Sequence, residues 1–400
     1  MIDLGDLSRI GFGGYRIDER EARHREALLQ ALDSGCNLID TAANYGNGAS
    51  ERLIGAVLRE TGHDAFVVTK AGYVDGDNLH RLAEACRRGL PECAVGSMSG
   101  RTLYCIHPEY LRIQMEESRK RLGRRTIDAV LLHNPEHRVA CGATRDMMLQ
   151  EIRDAFGFLE TCVAEGGLRF YGISSNVLDT QTLAALPALP HFRFLEMPLN
   201  LVERGARPTL EAARARGMVT LANRPLNAMT AHGPVRLTTE GADRGDSAGI
   251  LGDALARMQR RLRDAGEDDF LRFDVLRVLS TRFESIGTTD AVEALFAEHF
   301  FPLVDALAEL EEEGDAEVFR ALYAAAIAHA KRKNARAARA VQSSAEEEGV
   351  IPRDDRPLPI AACERLFTWG ADHVLVGMRR LEYVRELETL FGRAVPARVT

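Results

Sequence analysis

Apolar and polar positions along this chain follow two periods in turn. Short apolar runs bounded by glycine or polar residues predict eight strands: SRIGFGGYRI (8–17), NLIDTA (37–42), AFVVTKAG (65–72), IDAVLLHN (127–134), LRFYGISSN (168–176), FRFLEMPLNL (192–201), MVTLANRPL (218–226) and HVLVGMR (373–379). Between them, apolar residues recur every three or four positions and predict helices over 25–35, 50–60, 107–123, 148–166, 179–189, 209–217, 359–370 and 381–392. Gly35 and Gly123 close two of these helices, and Ser50 is the expected N-cap of another. Strands apolar on both faces, each followed by a helix, are what a parallel sheet buried on both sides requires. Eight such units predict an α/β fold, a (β/α)8 TIM barrel. A doubly wound sheet is the alternative, but GFGG at 11–14 lacks the GxGxxG spacing of its phosphate turn.

A barrel of this kind needs about 250 residues, and the chain has 400. The surplus falls in two places, 73–106 after the third strand and 230–356 after the seventh. The second reads as helical, over LGDALARMQRRLRDAG, DDFLRFDVLRVLSTRFES, TDAVEALFAEHFFPLVDALAELEEEG and AEVFRALYAAAIAHAKRKNARAARAVQSSAEEEG. The expectation is one domain, 1–400, carrying a small inserted loop and a large helical insertion over the barrel mouth. The KRKNARAAR run reads as a solvated helix face, because acidic ELEEEGDAE precedes it.

Composition narrows the function. A net charge of −8 argues against a general nucleic-acid binder. No apolar run reaches the ~18–20 residues that cross a bilayer, and MIDLGDLSRIGFGGYR has neither a basic leader nor an apolar h-region, so a cytoplasmic protein is expected. Seven cysteines without CxxC spacing suit reduced buried thiols better than a disulfide framework. HNPEH at 133–137 resembles a metal pair, but Pro135 keeps His133 and His137 off one helical face, and no metal site is expected.

Barrel enzymes carry their chemistry at the C-terminal ends of strands. Asp40, Lys70 and His133 end strands two, three and four, and Tyr45 lies in the glycine-rich turn just past Asp40. A phenol with an ordinary pKa of about 10 is a poor acid near neutrality unless its anion is stabilised. An ammonium beside it does that, a carboxylate behind the ammonium keeps it charged and placed, and an imidazole orients a carbonyl oxygen. Gly46 and Gly48 let the backbone fold Tyr45 back over the mouth. Such a group of four would give a proton to a carbonyl oxygen.

The blocks FGGYR, NLIDTAANYGNGASERLIG, FVVTKAG, IDAVLLHNPE, FYGISSN, LEMPLNL, NRPLN and VLVGMRRLEYVREL make the sequence resemble the aldo-keto reductase superfamily, across all eight strands but not the insertions. The resemblance implies that Asp40, Tyr45, Lys70 and His133 are the catalytic tetrad, with Tyr45 the proton donor, and that the cofactor is NADP(H) in preference to NAD(H). It implies that Ser175 and Asn176 hold the nicotinamide carboxamide, with Glu196 where many members have Gln. Arg224 and Leu226 follow beside the nicotinamide and pyrophosphate, and Gly377, Arg379, Arg380 and Tyr383 bind the adenosine phosphate. A guanidinium pair after strand eight also suits a 2′-phosphate on its own chemistry. Three positions depart from the pattern: Asn223 replaces an aromatic, Glu196 replaces a neutral amide, and Leu387 stands where Asn is common. The expected activity is oxidoreduction between a carbonyl (aldehyde, ketone or sugar) and its alcohol. The alternatives are a redox-neutral NADP-dependent elimination or epimerisation, and a non-catalytic cofactor-sensing scaffold.

Overall fold

The predicted strands pair side by side into a closed, all-parallel barrel. A computed structural model describes residues 2–98, 102–239, 286–300 and 313–392, with scattered positions between 249 and 260. Its strands in chain order are β1 (Ile10–Gly13), β2 (Leu38–Asp40), β3 (Phe66–Ala71), β4 (Tyr73–Val74), β5 (Gly96–Ser97), β6 (Leu103–Tyr104), β7 (Ile127–His133), β8 (Leu168–Ser174), β9 (Phe192–Pro198), β10 (Val219–Asn223), β11 (Asn227–Thr230), β12 (Gly233–Arg236) and β13 (His373–Gly377). The barrel runs β1-β13-β10-β9-β8-β7-β3-β2 and closes where Gly13 pairs with both Gly377 and Asp40. Helices α1 (Ala22–Asp33), α2 (Ala49–Thr61), α3 (Asn78–Arg87), α4 (Pro108–Leu122), α5 (His137–Ala140), α6 (Arg145–Ala164), α7 (Thr180–Ala185) and α8 (Arg207–Ala215) fall among the strands, with Leu358–Thr368 before β13 and Leu381–Arg385 after it.

The strand period of two decides what fills the barrel. Leu38, Phe66, Val68, Ala129, Leu131, Phe194, Val219, Leu221 and Leu375 form one buried cluster, which Leu7 joins. One step of two further along, the same faces carry Asp40, Lys70, His133, Glu196 and Asn223. An apolar plug therefore ends in a polar layer at the C-terminal rim. Gly172 is required by close approach, since a Cβ there would sit 2.1 Å from the Phe194 carbonyl oxygen, at the irregularity between β8 and β9.

The chain divides into two units, Met1–Pro225 with Ala362–Thr400, and Leu226–Ala361. In the first, the 73–106 insertion is more than a loop. It holds α3 and a three-stranded antiparallel sheet of order β4-β6-β5, and Val74, Leu82, Ala85, Leu90 and Cys105 share a small core with Tyr110 and Ile113 of α4. In the second, β11 and β12 form an antiparallel hairpin. The Asn334 amide accepts from the Arg236 N–H at 2.8 Å and donates to its carbonyl at 2.9 Å, tying that hairpin to the helix Glu313–Glu347. The KRKNARAAR run lies in this helix. Thr289–Leu295 is helical and continues as a π turn over Phe296–Phe300. The expected helix over DDFLRFDVLRVLSTRFES lies outside the described residues, as does that over LGDALARMQRRLRDAG except for isolated positions.

Two local expectations are corrected. Ser50 does not cap α2: Gly48, at φ +82°, takes that place, and the Ser50 hydroxyl donates to the Gly14 carbonyl and meets Thr41 Oγ1 at 2.7 Å. All seven cysteines are free, but Cys86 and Cys93 are exposed and Cys141 is half-buried, so only Cys36, Cys105, Cys162 and Cys363 are buried thiols. Among the described residues no helix is long and apolar enough to cross a membrane.

Candidate active site

The rim residues converge on Lys70. Its ammonium contacts Asp40 Oδ1, lies 3.2 Å from Glu196 Oε2, and donates to the Thr41 carbonyl at 3.2 Å. Lys70, Asp40 and Glu196 are all buried. Glu196 Oε1 accepts from Asn223 Nδ2 at 2.6 Å. A carboxylate that deep is tolerated only when paired and hydrogen-bonded, and here Oε1 takes the hydrogen bond while Oε2 has only the Lys70 ion pair.

Tyr45 is delivered by backbone geometry. Gly46, Asn47 and Gly48 take φ of +56°, +54° and +82°, a left-handed run that glycine and asparagine adopt most readily. It returns the chain into α2 and leaves the Tyr45 ring 5.4 Å from Lys70 Nζ and 6.0 Å from the His133 ring, edge-on. All four members of the expected tetrad therefore lie together.

Burial and charge act on each member. Burial first, then the Glu196 carboxylate, raises the Asp40 carboxyl to about 8, against the pull of Lys70. Burial pushes the Lys70 ammonium down, but Asp40 and Glu196 together outweigh it and hold the proton on more firmly than usual. Burial raises the Tyr45 phenol; Lys70 opposes this, and the two carboxyls reinforce it. Burial, with Lys70 and His137 nearby, holds His133 well below the ordinary imidazole value, so it is neutral near pH 7.

The expected nucleotide contacts form two groups. Ser175 Oγ donates to Glu136 Oε2 at 2.9 Å and accepts from the Val177 and Leu178 N–H groups. Asn176 N–H donates to Glu136 Oε1 at 2.8 Å, and Asn176 Oδ1 accepts from Arg224 Nη2 at 3.2 Å. Beyond β13, Arg380 precedes the Leu381–Arg385 helix, with its guanidinium 5.9 Å from the Tyr383 ring and 3.7 Å from Glu382. The Arg379 charge is felt by His24 of α1. Gly377 faces open space where a Cβ would stand. Leu387 is buried, and Leu226 opens the second unit, buried, with its carbonyl accepting from Leu237 N–H at 2.7 Å.

Several neighbours of the site escaped the sequence reading. Glu136 grips the Ser175–Asn176 turn. Tyr73 lies edge-on to His133 at 4.7 Å, and its hydroxyl meets His137 Nε2 at 2.7 Å and accepts from Asn134 Nδ2 at 2.8 Å. Tyr15, 56% exposed, meets the Tyr45 ring edge-on at 5.1 Å. Asn134 and Arg224, each following a barrel strand, sit at φ +56° and +52°, a conformation costing about 1–2 kcal/mol outside glycine. Strain of that kind gathers at functional rims.

A buried acceptor, an open face and a cationic pair suit a nicotinamide dinucleotide. Asn223 Oδ1 is buried with no donor among the described residues, an acceptor that an amide N–H could satisfy. Arg379 and Arg380 follow Gly377 in the chain, a cationic pair of the kind that suits a phosphate.

Among known proteins, residues 9–242, more than half of the chain, match the model of the aldo/keto reductase family. The chain is 34% identical over 200 residues to a D-threo-aldose 1-dehydrogenase of a Pseudomonas species, covering 46% of this chain and 54% of that protein. It is 28% identical over 214 residues to the aldo-keto reductase YhdN of Bacillus subtilis, covering 51% and 54%. The chain thus spans about half the length of these curated relatives. Two solved structures share the fold: the aldo-keto reductase AKR11C1 of Bacillus halodurans, at TM-score 0.51, 17% identity and 96% and 86% coverage, and the glycerol dehydrogenase AKR11B4 of Gluconobacter oxydans, at 0.51, 20%, and 97% and 88%.

Proposed function

The chain belongs to the aldo/keto reductase family, and from that premise we propose that it is an NADP(H)-dependent oxidoreductase interconverting an aldehyde, ketone or sugar carbonyl and its alcohol. The observation that carries this reading is the convergence of Asp40, Tyr45, Lys70 and His133 on the rim. When bound, the nicotinamide nucleotide supplies or accepts the hydride at the carbonyl carbon. Tyr45 gives the carbonyl oxygen its proton. Lys70 stabilises the phenolate left behind, and Asp40 keeps Lys70 in place. Neutral His133 donates a hydrogen bond to the same oxygen and fixes the face presented to the hydride. Ser175, Asn176 and Arg224 would hold the carboxamide end, and Arg379, Arg380 and Tyr383 the phosphate end. The D-threo-aldose 1-dehydrogenase relative favours a sugar among the carbonyl classes.

The test begins with titration of the purified protein by NADPH and NADH, followed through the nicotinamide's own fluorescence, and continues with a screen of aldehydes and aldoses. NADPH is expected to bind more tightly than NADH and to lose that preference in Arg379→Ala and Arg380→Ala. Tyr45→Phe is expected to abolish carbonyl reduction while leaving nucleotide binding intact. Binding of neither nucleotide, or full activity in Tyr45→Phe, would overturn the reading.

A further inference from the structure

Glu196 has no part in the scheme above, and its surroundings assign it one. The barrel interior holds two carboxyls against one ammonium: Lys70 contacts Asp40 and lies 3.2 Å from Glu196, all three are buried, and Asn223 fixes Glu196 from the far side at 2.6 Å. A neutral amide at 196 would leave a simple Asp40–Lys70 ion pair. With Glu196 the three groups, fully ionised, would carry a net negative charge in a water-poor layer above Phe66, Val68 and Leu131. Such a charge is relieved by keeping a proton on one carboxyl, as carboxyl pairs in a shared site do.

We propose that Asp40 and Glu196 share one proton across Lys70 and form a buried proton reserve behind Tyr45, weighting the site toward carbonyl reduction. The charged or titratable groups that face Tyr45 are Lys70 from β3, Asp40 from β2, Glu196 from β9, neutral His133 from β7 and Tyr15 from the turn after β1. When Tyr45 gives its proton to the carbonyl oxygen, its phenolate takes one from Lys70 Nζ. Lys70 regains a proton from the carboxyl pair, and the pair, now fully ionised, is refilled from solvent. The raised Asp40 carboxyl accords with a retained proton near neutrality. In the opposite direction an alcohol must give its proton to a phenolate, and that phenolate forms only after the reserve has emptied and turned negative. Alcohol oxidation is therefore confined to alkaline pH. Glu196 acts here through Lys70 and is a positioning residue. The directional consequence rests on the reductase reading, whereas the shared proton does not.

The experiment needs neither nucleotide nor substrate, so its failure is distinguishable from failure of the reductase reading. Infrared difference spectra of the full-length protein, taken while stepping the pH from about 5 to 10, report protonated carboxyl groups. Ultraviolet difference titration against Tyr45→Phe isolates the Tyr45 phenolate. The wild-type protein is expected to show one buried carboxylic-acid band that persists above pH 6 and is lost in Glu196→Gln. In the same variant the Tyr45 titration is expected to move down by about one pH unit or more. Absence of that band from the wild-type spectrum would overturn the proposal, whether or not the variant folds. An unchanged Tyr45 titration in a folded Glu196→Gln would overturn it equally.

Discussion

Replacing Lys70 by Met tests the electrostatics of the rim most directly. The substitution keeps an unbranched apolar stem, one atom shorter, and removes the charge. At 3.2 Å the Lys70–Glu196 attraction alone is about 5 kcal/mol gross at an effective dielectric constant near 20. Desolvation offsets much of it, and breaking a buried pair costs about 3–5 kcal/mol. Protonation limits the loss. The carboxyl pair, already holding one proton, takes up a second instead of staying charged without a cation. Neutralising a carboxyl of ordinary pKa about 4 costs about 1.4 kcal/mol per pH unit, hence about 4 kcal/mol at pH 7 and about 1.4 kcal/mol at pH 5. The sign follows from proton counts: at these groups folding takes up one proton in the wild type and two in the variant, so the variant's deficit widens as pH rises. Urea unfolding read through Trp369 gives the measurement. This single tryptophan is buried in the barrel unit, with the Arg207 guanidinium 4.9 Å and the Arg204 guanidinium 5.5 Å from its ring. A deficit equal at pH 5 and pH 7 would refute the account of one ammonium neutralising a carboxyl pair.

Two further predictions concern the frame and the imidazole. A Cβ at Gly55 of α2 would lie 2.4 Å from the Arg121 carbonyl oxygen, whereas one at Gly157, in the middle of α6, meets nothing within 4 Å. Gly55→Ala is therefore expected to destabilise the protein by about 1–3 kcal/mol, and Gly157→Ala to stabilise it by about 0.5–1 kcal/mol; changes of the same sign in urea midpoints would contradict the packing described. His133, held neutral by burial, contributes stability that is present above the ordinary imidazole pKa and lost as pH falls through about 6.5. His133→Gln is expected to flatten that acid limb of the midpoint-versus-pH curve, and an unaltered limb would show that His133 takes up its proton without strain.

Much of the barrel was legible because each run announced both its strand character and its parity. In FVVTKAG, Phe66, Val68 and Lys70 share one face, and IDAVLLH repeats the pattern with Ala129, Leu131 and His133, so strand ends and inward direction were readable together. The hairpin Asn227–Arg236 was not, since only Ala228 and Val235 are buried along it and the alternation is too brief to register. Ser50 misled because a serine at a helix start normally caps, whereas this hydroxyl is taken by Gly14 and Thr41, contacts set by tertiary approach. In the site, the strand-end residues were visible one by one. What Glu196 touches was not, because its partners Lys70 and Asp40 come from distant strands and only barrel closure brings them together. Glu136 and Tyr73 stayed hidden for the same reason, one just past a strand and the other in an insertion that read as a loop.

The second unit, Leu226–Ala361, sits in the chain between β10 and β13, and β13 bonds to both β10 and β1. During synthesis seven of the eight barrel strands therefore leave the ribosome with their closing partner still unmade. At the ~5–20 residues per second of translation, the roughly 140 intervening residues occupy about 7–28 s. For that interval the facing edges of β1 and β10 are open rows of unpaired backbone groups, a ready template for another nascent chain. The nascent barrel is thus most exposed to aggregation and to chaperone capture while the second unit is being made, before the last strand arrives.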